Sequence, residues 1–243
     1  AADAWVTAAG GSGSDMAWDM VLDAQGNSFV TGSFSGSATF GSTTLNSIGG
    51  IDGFVGKMDN LGNWVWASQI SGNYEDWGSG IDLDSTGNVY VTGPFINNQD
   101  STSPSVQLGA YSLNAHAQST YDMFVGKLDS NGNWLWAKTS NKLEEFSEVT
   151  WAYEEAFGQV LPTDIKVFNN SITISGSYNG KIYAYYDNGD WYYESSVDSS
   201  GFTTTDAYVG FLNLDGTWGS QHGWGGSTQY DAATAVAPSP SGN

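Results

Sequence analysis

The chain has 243 residues and carries 6 lysines, no arginine and 26 acidic residues, a formal charge of −20. No basic patch exists to neutralise phosphates, which excludes nucleic acid as a partner, and no apolar run approaches the ~18–20 residues of a membrane span. Cysteine is absent, so disulfides and thiolate metal sites are excluded, and the Gly, Ser, Thr, Asn and Trp bias predicts a secreted, extracellular or cell-surface protein.

In chain order the sequence repeats itself. Copy one reads DMAWDMVLDAQGNSFVTGSFSGSATFG and then IDGFVGKMDNLGNWVWA. Copy two reads DWGSGIDLDSTGNVYVTGPF and then YDMFVGKLDSNGNWLWA, and a more diverged copy three reads TDIKVFNNSITISGSY and then TDAYVGFLNLDGTWGS. Each copy predicts four short strands, because apolar residues alternate with the period of a half-buried strand, as in Val89/Val91 and Trp134/Trp136. The strings DNLGNWVWA from Asp59 and DSNGNWLWA from Asp129 then read as a hairpin turn followed by one pleated strand.

Aspartate accepts backbone N–H groups across such a turn, and glycine supplies the positive φ that closes it. Gly26, Gly62, Gly87 and Gly132 are therefore expected at φ > 0. Copy three is expected to shrink the two turns to Asn169-Asn170 and Asp215-Gly216. Four-stranded units repeating every 60–85 residues predict an all-β fold, a β-propeller-like array of four-stranded antiparallel blades. The repeats run over about 5–66, 67–136 and 137–220, with a part-repeat over 221–243, all in one domain of residues 1–243. A short helix is permitted near 142–157, where Leu143/Phe146 and Val149/Tyr153 recur at helical spacing.

The strings LDAQGNSFVTGSF and LDSTGNVYVTGPF, each followed by DxFVGK, resemble the SBBP β-propeller repeats of secreted and cell-surface proteins from bacteria and archaea. The resemblance implies the blade. It implies no catalytic residues, since the repeat motif is structural. The turns also resemble the Asp-box hairpins of sialidase-type propellers, but those enzymes hold substrate carboxylate with arginines, which this chain lacks.

Function is expected where repetition fails. The connection from the second to the third strand has 19 residues in copy one, 28 in copy two and 29 in copy three. In a propeller these connections and the blade-to-blade passages share one rim, and long loops on a rigid scaffold are the usual place for binding. That rim would carry His116, Trp151, Tyr153, Glu154, Glu155, Trp191, Tyr192, Tyr193 and Glu194. Exposed aromatics beside carboxylates can stack on sugars; the same aromatics equally suit burial between blades or against a neighbouring subunit, the reading favoured here.

Other chemistry is poorly supported. His116 and His222 stand alone without ligand spacing. Asp82 to Asn88 resembles the start of a calcium loop, but the twelfth position is Gly93 and a hairpin turn explains the string. No cofactor is expected. Diffuse calcium binding by the acidic surface remains compatible with the composition. Asp15, Asp76 and Asp231 recur at one repeat position and Asp52, Asp122 and Asp206 at another, which argues for a structural task rather than an acid–base pair. The favoured role is thus a non-catalytic structural or adhesive module of a surface assembly, with a glycan-binding module or a polysaccharide hydrolase or lyase as alternatives. Three blades do not close a propeller, and the segments Ala4 to Thr7 and Ala232 to Ala237 read as a fourth strand and a first strand of incomplete blades. The expectation is that further repeats of the polypeptide follow Asn243, or that other copies of the chain supply the missing strands head to tail in a filament.

Overall fold

The computed structural model describes residues 6–96, 105–115, 121–139, 159–179, 184–187, 190–193, 205–224 and 231–237, and these contain strands and turns but no helix. The segment expected to allow a helix, 142–157, lies outside the described residues.

After a two-residue strand β1 (Gly10–Gly11), copy one supplies β2 (Asp15–Leu22), β3 (Ser28–Phe34), β4 (Ser37–Phe40), β5 (Thr43–Asn46), β6 (Asp52–Met58) and β7 (Trp64–Gly72). Copy two supplies β8 (Gly80–Leu83), β9 (Val89–Ile96), β10 (Val106–Leu108), β11 (Tyr111–Leu113), β12 (Tyr121–Leu128) and β13 (Trp134–Thr139). Copy three supplies β14 (Gln159–Phe168), β15 (Ser171–Asn179), β16 (Ala184–Asp187), β17 (Asp190–Tyr193), β18 (Asp206–Asn213) and β19 (Trp218–Trp224).

Three antiparallel meanders result: β2-β3-β6-β7, β8-β9-β12-β13 and β14-β15-β18-β19. They are blades 1, 2 and 3, and each corresponds to one sequence copy. The four-strand expectation holds in all three. Blade 1 packs on blade 2 through a cluster holding Phe29, Val55, Ile81, Val91, Phe124 and Leu128. Blade 2 packs on blade 3 through Tyr90, Val125, Ile165, Ile174, Tyr208 and Leu212. Every blade therefore has a forward face and a back face. Position for position, Phe29 and Val55 of blade 1 do what Tyr90 and Val125 of blade 2 do, on the forward side. Full burial of side chains of this size is worth roughly 1.5–3 kcal/mol each, so these faces hold the blades together.

The turns fold as the sequence predicts. Gly26, Gly62, Gly87 and Gly132 have φ of 80°, 84°, 81° and 84°. Asn169 and Asn170 have φ of 47° and 66°, the left-handed pair of a two-residue hairpin. One expectation needs correction: the second turn of copy three does not shrink to Asp215-Gly216. Asn213 N–H donates to Thr217 O (2.9 Å) and Gly216 N–H to Asn213 O (3.0 Å), the pattern of Asp59 with Asn63 and Gly62. Asn213 holds the aspartate position, because the backbone of that residue, whatever its side chain, closes the turn.

The reading of Trp64/Trp66 and Trp134/Trp136 as one plain pleat is also corrected. In blade 1 the ladder pairs Met58 with Trp64 but Lys57 with Trp66, and blade 2 repeats this with Leu128, Trp134, Lys127 and Trp136. Val65 and Leu135 are the extra residues of two β-bulges, both exposed. A bulge breaks the two-residue alternation, so the two tryptophans of each string go to opposite faces. Trp64 packs with Phe40, Phe54 and Met58 on the back of blade 1, while Trp66 packs on its forward side against blade 2. The Trp64 and Trp134 rings lie across Gly56 and Gly126, where a Cβ would collide with them. That contact explains why each VGK string keeps its glycine.

Candidate functional site

The predicted rim divides into what is described and what is not. His116, Trp151, Tyr153, Glu154, Glu155 and Glu194 lie outside the described residues. Trp191, Tyr192 and Tyr193 lie on β17, where they pair with Tyr186, Tyr185 and Ala184 of β16. The expanded connection of copy three thus contains a two-stranded hairpin.

So do the other two connections, which the sequence reading missed. β4 and β5 form a hairpin turning at Gly41 (φ 60°), and β10 and β11 one turning at Gly109 (φ 59°). Each hairpin then adds to an earlier strand. β10 pairs with β7 (Val106 with Gly72, Leu108 with Ile70), extending blade 1 to six strands, and β4 pairs with β1 in the same register (Ala38 with Gly11, Thr39 with Gly10). Part of the long connection in copy two is therefore a strap over Ile70–Gly72, the end of the outer strand of blade 1, which otherwise would present unpaired backbone groups. A signal was available: ATFGSTTLN and VQLGAYSLN share their turn glycine and Leu-Asn ending.

The repeated tryptophans stitch neighbours in both directions. Trp134 Nε1–H donates back to Ser68 Oγ (3.1 Å), Trp218 Nε1–H to Thr139 O (2.9 Å) and Trp64 Nε1–H to Ala8 O (3.4 Å). Trp66 Nε1–H donates forward to Ser130 O (3.1 Å) and Trp136 Nε1–H to Leu214 O (3.3 Å), each in the turn of the next blade.

The recurring carboxylates are also engaged. Asp84 accepts from the Thr86 and Asn88 N–H groups, the Thr86 hydroxyl, the Asn88 amide and the Tyr90 hydroxyl, with Lys127 Nζ 3.6 Å away. Burial works to raise its pKa, but the Asn88 and Thr86 hydrogen bonds outweigh it and hold the carboxyl well below the usual range. At the exposed turns of Asp59 and Asp129, bonds from Asn63 and Asn133 likewise lower the pKa. Between blades, Ile81 N–H donates to Asp19 Oδ2 (2.9 Å) and Val167 N–H to Asp82 Oδ2 (2.7 Å), and Val236 N–H of the segment 231–237 donates to Asp164 Oδ2 of blade 3 (3.0 Å). The calcium-loop resemblance at Asp82 to Asn88 is thus a turn plus a blade clasp, and no cluster of three metal-ligating side chains occurs among the described residues.

Among the described residues, Asp52 and Asp76 are two buried carboxyls close enough to interact. Asp52 accepts from Ile48 N–H, Gly49 N–H and the Gln69 amide, and Asp76 Oδ1 accepts from Gly53 N–H (3.1 Å). Burial raises both pKa values, and the charge of Asp52 adds to the rise at Asp76. At 0 % and 1 % exposure, however, neither carboxyl can meet a substrate. The pair pins the start of β6 to the passage that leads into blade 2.

A cavity of about 500 Å³ opens on the back face of blade 1, lined by Ala9, Met16, Trp18, Met20, Met58 and Trp64 among others. Most of its lining is apolar, but Asp15 and Asp19 also line it; Asp15 Oδ2 accepts from Gly11 N–H and Asp19 Oδ2 from Ile81 N–H.

Residues 65–93, from the fourth strand of blade 1 to the second strand of blade 2, match the SBBP family model, a beta-propeller repeat. The chain is also 25 % identical over 206 residues to an uncharacterized WD repeat-containing protein of Acanthamoeba polyphaga mimivirus; the similarity takes in 78 % of this chain but only 13 % of that protein's length.

Proposed function

For a chain that carries an SBBP β-propeller repeat, we propose the role of a non-catalytic structural and adhesive module, extracellular or at a cell surface. Its contacts are made through the rim bearing the second-to-third-strand connections. The observation that carries this reading is the engagement of the repeated polar residues: the turn aspartates, the blade clasps and the paired tryptophans are engaged in holding strands and blades, so repetition serves architecture. What varies between copies is the second-to-third-strand connection, which in copy three includes β17 with Trp191, Tyr192 and Tyr193 in sequence. The partners proposed are other copies of the chain, further repeats of the same type, or a glycan.

Beads coated with the chain test the adhesive role. They are expected to clump, and Trp191→Ala with Tyr193→Ala is expected to suppress clumping, whereas Asp59→Asn in a turn on the other rim leaves it unchanged. Release of reducing ends from acidic or neutral polysaccharides would overturn the non-catalytic reading. A glycan array bound by the chain and lost in Trp191→Ala would assign the rim to sugar instead. Diffusely held cations are part of the proposal, because a −20 surface repels itself and bound or screening cations relieve that. Equal melting in chelator and in millimolar calcium at low salt would remove them from it.

A further inference from the structure

The back face of blade 1 repeats, residue for residue, the surface by which blades 2 and 3 dock. Val30, Phe34, Phe54, Met58 and Trp64 stand where blade 2 has Val91, Phe95, Phe124, Leu128 and Trp134. In blades 2 and 3 the next member of this set, Ile81 or Ile165, is 1 % or 0 % exposed; its counterpart in blade 1, Met20, is 56 % exposed. Met16 and Trp18 beside it are more than half exposed as well. Together with the largely apolar cavity on this face, Met20 left in water where its counterparts are buried marks an interaction surface.

Part of the occupant is already in place. The segment through β1 lies on this face as β7 lies on blade 2: β1 pairs with β4 in the register of β7 with β10, and Trp64 reaches Ala8 O as Trp218 reaches Thr139 O. It occupies the position of a fourth strand. Along β7, β6 pairs with the residues up to Ile70 and β10 with Ile70–Gly72. On the segment before blade 1, β1 has its β4 partner, as Ser71 and Gly72 have β10, but residues 6–9, the counterparts of Ala67–Ile70, lie in no strand among the described residues. The cavity between this segment and β2 falls where, at the next interface, the second and third strands of the neighbour insert Phe29 and Val55.

We propose that the back face of blade 1, together with residues 6–11, is an acceptor for two further antiparallel strands of the same repeat type, supplied from outside the three blades. The third-strand element adds along residues 6–9 by main-chain hydrogen bonds, as β6 does along Ala67–Ile70, and its second-strand partner lies beside it, the mode of β-augmentation. Recognition is specific because the cavity takes alternate side chains: an aromatic residue from the second strand, as Phe29 and Tyr90 are, and a valine from the third, as Val55 and Val125 are. The inference does not depend on what the opposite rim binds.

The probe is a synthetic hairpin joining residues 28–34 to residues 52–58 through Asn-Gly, which keeps the natural pairing of Phe34 with Asp52. Added to the 243-residue chain, it is expected to bind saturably and to raise Tm by a few degrees, as a ligand of the folded state does. A hairpin carrying Phe29→Ser and Val55→Ser is expected to bind at least about tenfold more weakly. Met20→Glu in the chain, at a site exposed enough to leave the fold intact by circular dichroism, is expected to abolish binding; Trp18→Glu serves as a second exposed variant. Absence of binding at 100 µM, or equal binding of a scrambled peptide, would overturn the proposal. Self-association of the unmodified chain that Met20→Glu abolishes would overturn it too, by giving the face to a second whole copy.

Discussion

Blades 2 and 3 share a ladder and differ in almost everything hung on it. Phe168 replaces the turn aspartate Asp84, Thr173 and Phe211 replace Tyr90 and Lys127, Val160 replaces Asp76, and Ser220 replaces the forward-reaching Trp136. Yet the strand order and the bulge at the start of the fourth strand are the same. The apolar back face is retained as well, with Ile165, Ile174, Tyr208 and Leu212 buried as Ile81, Val91, Phe124 and Leu128 are. The back face and the ladder therefore suffice to specify a blade. Turn carboxylates and forward tryptophans act locally, strengthening a hairpin or a seam that already exists.

That division can be broken most forcefully at the back face. Phe124→Ala and Tyr208→Ala, at corresponding buried positions, are each expected to cost roughly 3–5 kcal/mol, read from denaturant midpoints. Losses differing by more than about 2 kcal/mol would mean the two blades do not rest on the same core. Trp136→Ser, which gives blade 2 the residue of blade 3, removes the bond to Leu214 and the ring packed on Gly216. With the side chain only half-buried, about 2–3 kcal/mol is expected, and the loss should fall on the seam between blades 2 and 3 in hydrogen exchange. Asp84→Ala strips a partly buried carboxylate from its donors, for about 1.5–2.5 kcal/mol, whereas Phe168→Ala at the matching place in blade 3 should stay within about 0.5 kcal/mol. Equal losses at those two positions would show that the turn aspartate is not a local reinforcement.

The smallest effect concerns pH. The Asp52 and Asp76 pKa values are raised in the fold, so their contribution is full below the unfolded value of about 3.9 and is lost as pH rises through the folded values. The Asp23, Asp59, Asp84, Asp129 and Asp215 values are lowered, so theirs is present above the unfolded value and lost as pH falls. Asp76→Asn should consequently narrow the fall in Tm as pH rises above the unfolded carboxylate value of about 3.9. An unchanged fall would place the titration elsewhere.

Local features of this fold were legible in the sequence. The left-handed glycines of the Asp-x-x-Gly-Asn turns and the four strands of each copy follow from alternation and turn chemistry. Non-local pairings were not. The β10–β11 strap is short, and its partner Ile70–Gly72 lies in another blade, which no local pattern encodes. The opposed tryptophans were hidden for a related reason: spacing of two implies one face, and only the ladder reveals Val65 as a bulge. Of the candidate rim, the sequence gathers Trp191, Tyr192 and Tyr193 by adjacency alone, and β17 explains that adjacency as one strand of a hairpin.

The strap also sets a schedule for biosynthesis. The outer edge of blade 1 ends at Gly72, but the strand that covers it begins at Val106, 34 residues later. At roughly 5–20 residues per second, a nascent chain would wait about 2–7 s with that edge uncovered, until copy two seals copy one. Ribosome-stalled chains whose emerged portion ends at Gly72 should accordingly be cut by protease near β7, and those extended past Leu113 should resist.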